Sequence, residues 1–218
     1  MLRRPGLTTL TILLTVVGTS ATLLIGDGSA APAATARHAA ATHVVRVRPV
    51  DKTGHLRSGY TIVSRRGHAH CVLGSEATGT AYRCFAGNSI LDPCWVQAGS
   101  ARSHVICLGV PWSHNVAQVH VTKGYDNSVM TTPASEPWGI RLANGTRCAL
   151  IQGASGEFKG RRISYFCSHS KTVLTGNPNR SRPVWRIHTA RSTKHGHFVR
   201  TGRKRIAKAF FGRPSLIG

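Results

Sequence analysis

Residues 138–152 read WGIRLANGTRCALIQ, and this stretch decides the fold class. Gly139-Ile140-Arg141-Leu142 alternates apolar and polar positions, Asn144-Gly145 is a favoured two-residue hairpin turn, and Thr146 to Gln152 returns as a partner strand. A second alternating run, Arg162-Ile163-Ser164-Tyr165-Phe166-Cys167, follows a loop punctuated by Gly153, Gly156 and Gly160. Laid antiparallel with Cys167 opposite Cys148, it also sets Ile163 opposite Gln152, so a cross-strand cystine fits the register.

The first half of the chain echoes this unit. Cys71 to Cys84 and Cys94 to Cys107 each enclose short apolar runs around a Gly/Ser turn, as Cys148 to Cys167 does over a longer interval. Three stapled hairpins are therefore the preferred connectivity, although six cysteines permit many pairings. Loops of this size each contribute about 3 kcal/mol through the lost freedom of the unfolded chain. No window carries a sustained helical apolar period, whereas β-branched runs bounded by Gly, Asn, Pro and Ser recur throughout. The expected fold is all-β or mainly β, with antiparallel hairpins in one compact domain stapled by disulfides. Aromatic residues make up only 6% of the chain, so Val, Ile, Leu and the cystines must supply most of its core.

An even cysteine set of this kind needs an oxidising compartment, and the N-terminus supplies a route to one. Arg3-Arg4 precede an apolar stretch from Leu7 to Ile25, and Ala34-Thr35-Ala36 forms a small-residue processing site before Arg37. A cleavable signal peptide over 1–36 is favoured over a retained membrane anchor. Residues 37–58, basic and interrupted by Pro49, read as an extended linker; 59–212 as the disulfide-stapled β domain; 213–218 as a C-terminal tail. The expected location is secreted or cell-envelope.

Tyr82-Arg-Cys-Phe-Ala-Gly-Asn-Ser-Ile-Leu-Asp-Pro-Cys-Trp95 carries a resemblance, together with Val105-Ile-Cys-Leu108 and Pro137-Trp-Gly-Ile-Arg-Leu-Ala-Asn-Gly-Thr-Arg-Cys148. The pattern resembles an uncharacterised family of exported, cysteine-containing bacterial proteins, mainly actinobacterial, over about Gly67 to Phe211. The resemblance implies a secreted or envelope disulfide domain closed by aromatics near Phe211, and brings no activity or catalytic residue. Asp92-Pro93 within the string reads as a turn that sets Cys94 for its bond, in preference to a binding role for Asp92. Trp95, Trp112, Trp138 and Trp185 read as core in preference to an aromatic recognition surface.

The charge is segregated. Residues 180–218 hold 11 Lys or Arg and no acid, against 11 basic and 5 acidic groups in residues 59–179. Arg203, Lys204, Arg205 and Lys208, supported by Arg147, Arg161 and Arg162, are the candidate anion-binding residues. Their expected partner is an anionic cell-envelope polymer or lipid surface, held by salt-screened attraction; nucleic acid is the less expected polyanion, and a protein partner stays open. The competing reading is a final strand or short helix that docks Ile206, Phe210 and Phe211 on the core with its cations in water. A monomer is expected.

Other chemistry finds little support. His68-Ala-His70 and His195-Gly-His197 place two imidazoles on one face only if each lies on a strand, and no carboxylate completes a ligand set, so no metal or cofactor is expected. No phosphate-cradling loop, nucleophile elbow or paired-acid signature occurs, and the cystines consume every thiol. Ser103-His104 and Ser113-His114 are the nearest nucleophile-base neighbours, but adjacent strand residues point to opposite faces. A noncatalytic binding module is the expected function; a protein-binding or inhibitor module and a hydrolase with a noncontiguous site are the alternatives.

Overall fold

The computed structural model describes residues 39–126 and 136–214. Among these residues every regular element is a strand: β1 (His43–Val47), β2 (Thr61–Leu73), β3 (Tyr82–Ala86), β4 (Ser89–Val96), β5 (His104–Cys107), β6 (Asn115–Asp126), β7 (Gly139–Leu142), β8 (Arg147–Leu150), β9 (Glu157–Phe158), β10 (Arg161–Cys167), β11 (Thr172–Asn179), β12 (Arg186–Ser192) and β13 (Phe198–Gly212). The all-β, disulfide-stapled fold read from the sequence is thus the observed one.

The strands make two sheets. Strands β2 to β6 form a five-stranded closed barrel in which antiparallel neighbours are closed by a parallel pairing of β2 with β6. The second sheet runs β1-β13-β12-β11-β10-β8-β7, and β7 pairs back onto β13, so this sheet also closes on itself. Closure removes the unpaired edges that would otherwise template aggregation. Both long closing strands of the first barrel break register where they wrap, between Arg66 and Ala69 and between Ala69 and Cys71, as bends in a small barrel require.

Each cystine bridges directly paired residues of neighbouring strands: Cys71–Cys84 across β2 and β3, Cys94–Cys107 across β4 and β5, and Cys148–Cys167 across β8 and β10. The first two lie inside the barrel with Val105 and Val119; the third lies inside the second sheet with Ile140, Tyr165, Leu174 and Ile206. Trp95 and Trp138 join the two cores. Each is 1% exposed, their rings lie 6.3 Å apart, and each indole N–H donates to a carbonyl of the opposite half, Trp95 to Arg213 and Trp138 to Gly109, both at 3.2 Å. That satisfies the one polar atom each large side chain takes out of water.

Several expectations need correction. Residues 43–47 of the expected linker lie parallel along β13, Val50 is 2% exposed, and the buried Arg48 donates to the carbonyls of Val50 and Pro214. The segment is extended, as its Val alternation and Pro49 dictate, but it docks because β13 outruns β12 and offers a free edge beyond residue 205. Residues 213 and 214 of the expected tail are held by the same contacts, Arg213 N–H donating to the Val47 carbonyl at 2.8 Å. The hairpin joining β7 to β8 has three loop residues, Ala143 to Gly145, because Leu142 pairs with Thr146 and Gly145 takes the left-handed position at φ 89°. Strand β8 ends at Leu150, so Gln152 leaves the ladder and its amide donates to the Asp92 carbonyl instead. Asp92-Pro93 is a cis peptide inside β4 at a register shift, not a turn between strands. The expected signal peptide, residues 1–36, lies outside the described residues.

The C-terminal segment resolves as one fifteen-residue strand, β13. Ile206 and Phe211 are buried, and the half-buried Phe210 meets Trp112 edge-on at 5.9 Å. Docking of the aromatics and display of the cations therefore coexist, because alternate strand positions face opposite ways.

Candidate anion-binding face

Strand alternation builds the site. In β12, Ile187 and Thr189 are buried in the sheet interior, which turns Arg186 and His188 outward. The ladder sets Asn179, Arg186 and Arg205 in one row across β11, β12 and β13, and Thr175, His188 and Arg203 in the next. Directly paired residues share a face, so Arg186 and Arg205 stand side by side, an arrangement that costs a few tenths of a kcal/mol or more between like charges. Arg200, one step along β13, and Arg161, at the start of β10, extend the face, and Lys159 projects from the β9–β10 turn.

No carboxylate lies within ion-pair distance of Lys159, Arg161, Arg186, Arg200, Arg203 or Arg205 among the described residues. Glu157 is the last acid in the chain. Two hollows follow the rows. One of about 170 Å³ is lined by Phe158, Lys159, Arg161, His188 and Arg200, with Thr175 and Thr189 of the sheet beside them. The other, of about 360 Å³, is lined by Arg182, Arg186 and Arg203. Arg203 links them, its Nε donating to His188 Nε2 at 2.9 Å. Partial burial, and then the guanidinium groups of Arg161, Arg203 and Arg200, hold the His188 imidazole below its ordinary pKa.

The seven sequence-derived candidates divide. Arg161, Arg203 and Arg205 lie on this face. Lys204 lines a hollow of about 260 Å³ with Arg205 and Asn144. Arg147 and Lys208 belong to a separate row with Arg141, where the Arg147 guanidinium lies 5.8 Å from the Trp112 ring centroid. Arg162 is engaged within the molecule, donating to Ser155 Oγ at 2.9 Å and to the Gly153 carbonyl at 3.0 Å. Sequence reading missed Lys159, Arg182, Arg186, His188 and Arg200. The i, i+2 spacing of Arg186 with His188, matched by Arg203 with Arg205, was the available signal; nothing in Lys159-Gly160 marks that turn as part of a site.

Elsewhere the polar groups serve the fold. Asp92, 2% exposed, accepts from Ser75 Oγ, from the Glu76 amide at 3.2 Å and from Arg83 Nε at 2.9 Å, while Arg83 Nη2 lies 2.8 Å from both Asp92 and Glu76. Burial pushes the Asp92 carboxyl above its ordinary pKa, against the pull of Ser75 and Arg83. Ser103 Oγ does meet His104 Nδ1, at 3.0 Å, because Ser103 sits in the turn before β5 and escapes strand alternation. Its hydroxyl proton, however, goes to the Ser100 carbonyl at 2.5 Å, and the His104 ring stacks on His120 with no carboxylate among the described residues to orient it. His68 sits at φ 58° in a register break, and His195 lies in the β12–β13 turn closed by Thr193 and His197, so neither H-x-H pair has the strand geometry a shared ligand face needs. The sulfurs of Cys84, Cys94 and Cys107 that lie within 4.8 Å of one another belong to cystines and offer no thiolate.

Compared with family models, with curated proteins and with solved structures, the chain matches none. Three disulfides place the folded chain in an oxidising compartment, and no helix among the described residues is long and apolar enough to cross a membrane.

Proposed function

We propose that the protein is a noncatalytic binding module, secreted or held in the cell envelope after removal of its signal peptide, that associates with anionic envelope polymers through the outer face of β10 to β13. The observation that carries this reading is the side-by-side array of Arg186, Arg203, Arg205, Arg200 and Arg161, with no carboxylate partner among the described residues. Uncompensated like charge works against folding, and local conflicts of this kind concentrate at functional surfaces. Guanidinium groups in fixed rows suit phosphate or carboxylate oxygens repeated along a chain. Membership of the exported actinobacterial family that the Tyr82–Trp95 string resembles belongs to the same proposal, as does a monomeric state.

Retention of the oxidised protein on purified cell envelopes across a salt series tests this. Retention is expected at low salt and to fall by a factor of about ten or more between 50 and 200 mM salt. Salt-independent retention, or none at low salt, contradicts it.

A further inference from the structure

We propose that the smaller hollow, between the Phe158–Arg161 turn and strands β11 to β13, is a phosphoryl-binding pocket for a polyol phosphate; this deepens, and rests on, the anion-binding reading of the whole face. Four nitrogen-bearing side chains reach it from four elements: Lys159 from the turn, Arg161 from β10, His188 from β12 and Arg200 from β13. No acid lines it.

The turn itself argues for a purpose. Phe158 pairs with Arg161, so Lys159 and Gly160 are the two central residues, at φ 51° and 70°. A two-residue hairpin with both centres left-handed favours Asn, Asp or Gly at the first, and a long L side chain is strained there. Lysine is a poor choice for the backbone and a good one for a charge, and its Nζ stands 5.8 Å from the Phe158 ring centroid beside the opening. Strained non-glycine residues gather at ligand sites for this reason.

The donor pattern selects the ligand. Because Arg203 Nε donates to His188 Nε2, the neutral imidazole keeps its proton on Nδ1 and presents a donor there. Lys159, Arg161 and Arg200 are donors only. A carboxylate offers two oxygens in one plane, whereas a phosphoryl group presents three around one centre and carries up to two charges, which suits cations converging from several directions. The hollow, about 170 Å³, exceeds a bare phosphate, and the Phe158 ring gives its wall an apolar surface for the carbon skeleton of an attached polyol.

Titration calorimetry of the oxidised protein with glycerol phosphate, with glycerate as the carboxylate of matching skeleton, and with poly(glycerol phosphate) tests the proposal. Glycerol phosphate is expected to bind about tenfold or more tightly than glycerate. Lys159→Gly, which suits the turn better, is expected to weaken glycerol phosphate about tenfold while the melting temperature holds or rises; Arg200→Gln should weaken it similarly. A tighter polymer than monomer supports a polymer source for the phosphoryl group, and equal affinities support a free one. Equal binding of glycerate, or an unaltered affinity in both variants, overturns the pocket while polymer retention at low salt would leave the surface reading standing. Loss of polymer retention in the wild type overturns both.

Discussion

Reduced at pH 7 and 25 °C, the protein is expected to lose its cooperative unfolding transition. The three cystines close loops with sequence separations of 13, 13 and 19 residues. Each such loop restrains the unfolded chain by about 3 kcal/mol, and the longer loop adds only about 0.3 kcal/mol over the others. Together they contribute about 9 kcal/mol, a sum comparable with the whole stability of a domain this size, about 5–15 kcal/mol. Packing sharpens the effect, because Cys71, Cys84, Cys94 and Cys107 form part of the barrel interior itself. Circular dichroism during a denaturant titration, with and without reductant, reads the outcome. A reduced protein that still unfolds in one sharp transition, shifted by less than about 3 kcal/mol, would contradict the assigned role of the cystines.

Arg83→Met is expected to destabilise the protein by about 3–5 kcal/mol at pH 7, the largest effect of a single substitution outside the cystines. It leaves Asp92, 2% exposed, without its cation, and leaves Glu76 with the more distant Arg162 at 3.9 Å. The pH dependence follows from the direction of the Asp92 shift. Its folded-state pKa is raised above the unfolded value by burial, so the folded form takes up the proton first. This group's contribution to stability is therefore full below the ordinary carboxylate pKa and is lost as pH rises through the folded value. Removing Arg83 removes the pull that limits that rise, so the cost of Arg83→Met should be smaller at pH 4 than at pH 7. Urea midpoints of wild type and variant at both pH values check this, and an equal cost at the two would show that Asp92 is not the group left unpaired. Asp92→Asn, which removes the charge but leaves Arg83 with Glu76, should cost less than Arg83→Met at pH 7.

What could be read in the chain and what could not divide along the range of the interaction. The Cys148–Cys167 register followed from alternation in residues 138–152 and 162–167, because a side-chain period of two and a shared bond leave one way to pair the strands. The spacing of the six cysteines favoured the three observed cystines among the many pairings it allowed. The parallel pairing of β2 with β6 that closes the barrel, and that of β1 with β13, were not legible, since they join residues far apart in the chain that no local period links. Docking of residues 43–47 depends on β13 outrunning β12, a fact of the assembled sheet. At the candidate site, the acid-free C-terminal segment, residues 180–218, announced the charge, but the face that gathers it needs the lateral pairing of Arg186 with Arg205 and of His188 with Arg203. Arg162 looked equivalent to Arg161 in sequence; alternation gives them opposite fates, one lining the hollow and the other engaged with the Gly153 carbonyl and Ser155.

On the proposed reading, the Arg face of β12 and β13 makes discrete contacts with a polyanion. The most direct measurement is the salt dependence of affinity for a defined linear polyphosphate, in the wild type and in the triple variant Arg186→Gln, Arg203→Gln, Arg205→Gln. Each phosphate contact on a flexible chain contributes about 0.7 to the slope of log K against log salt, so the variant's slope should be shallower by about 2, with the melting temperature unchanged or raised as the like-charge pair of Arg186 and Arg205 is relieved. An identical slope in wild type and variant would show that the polyanion is held elsewhere.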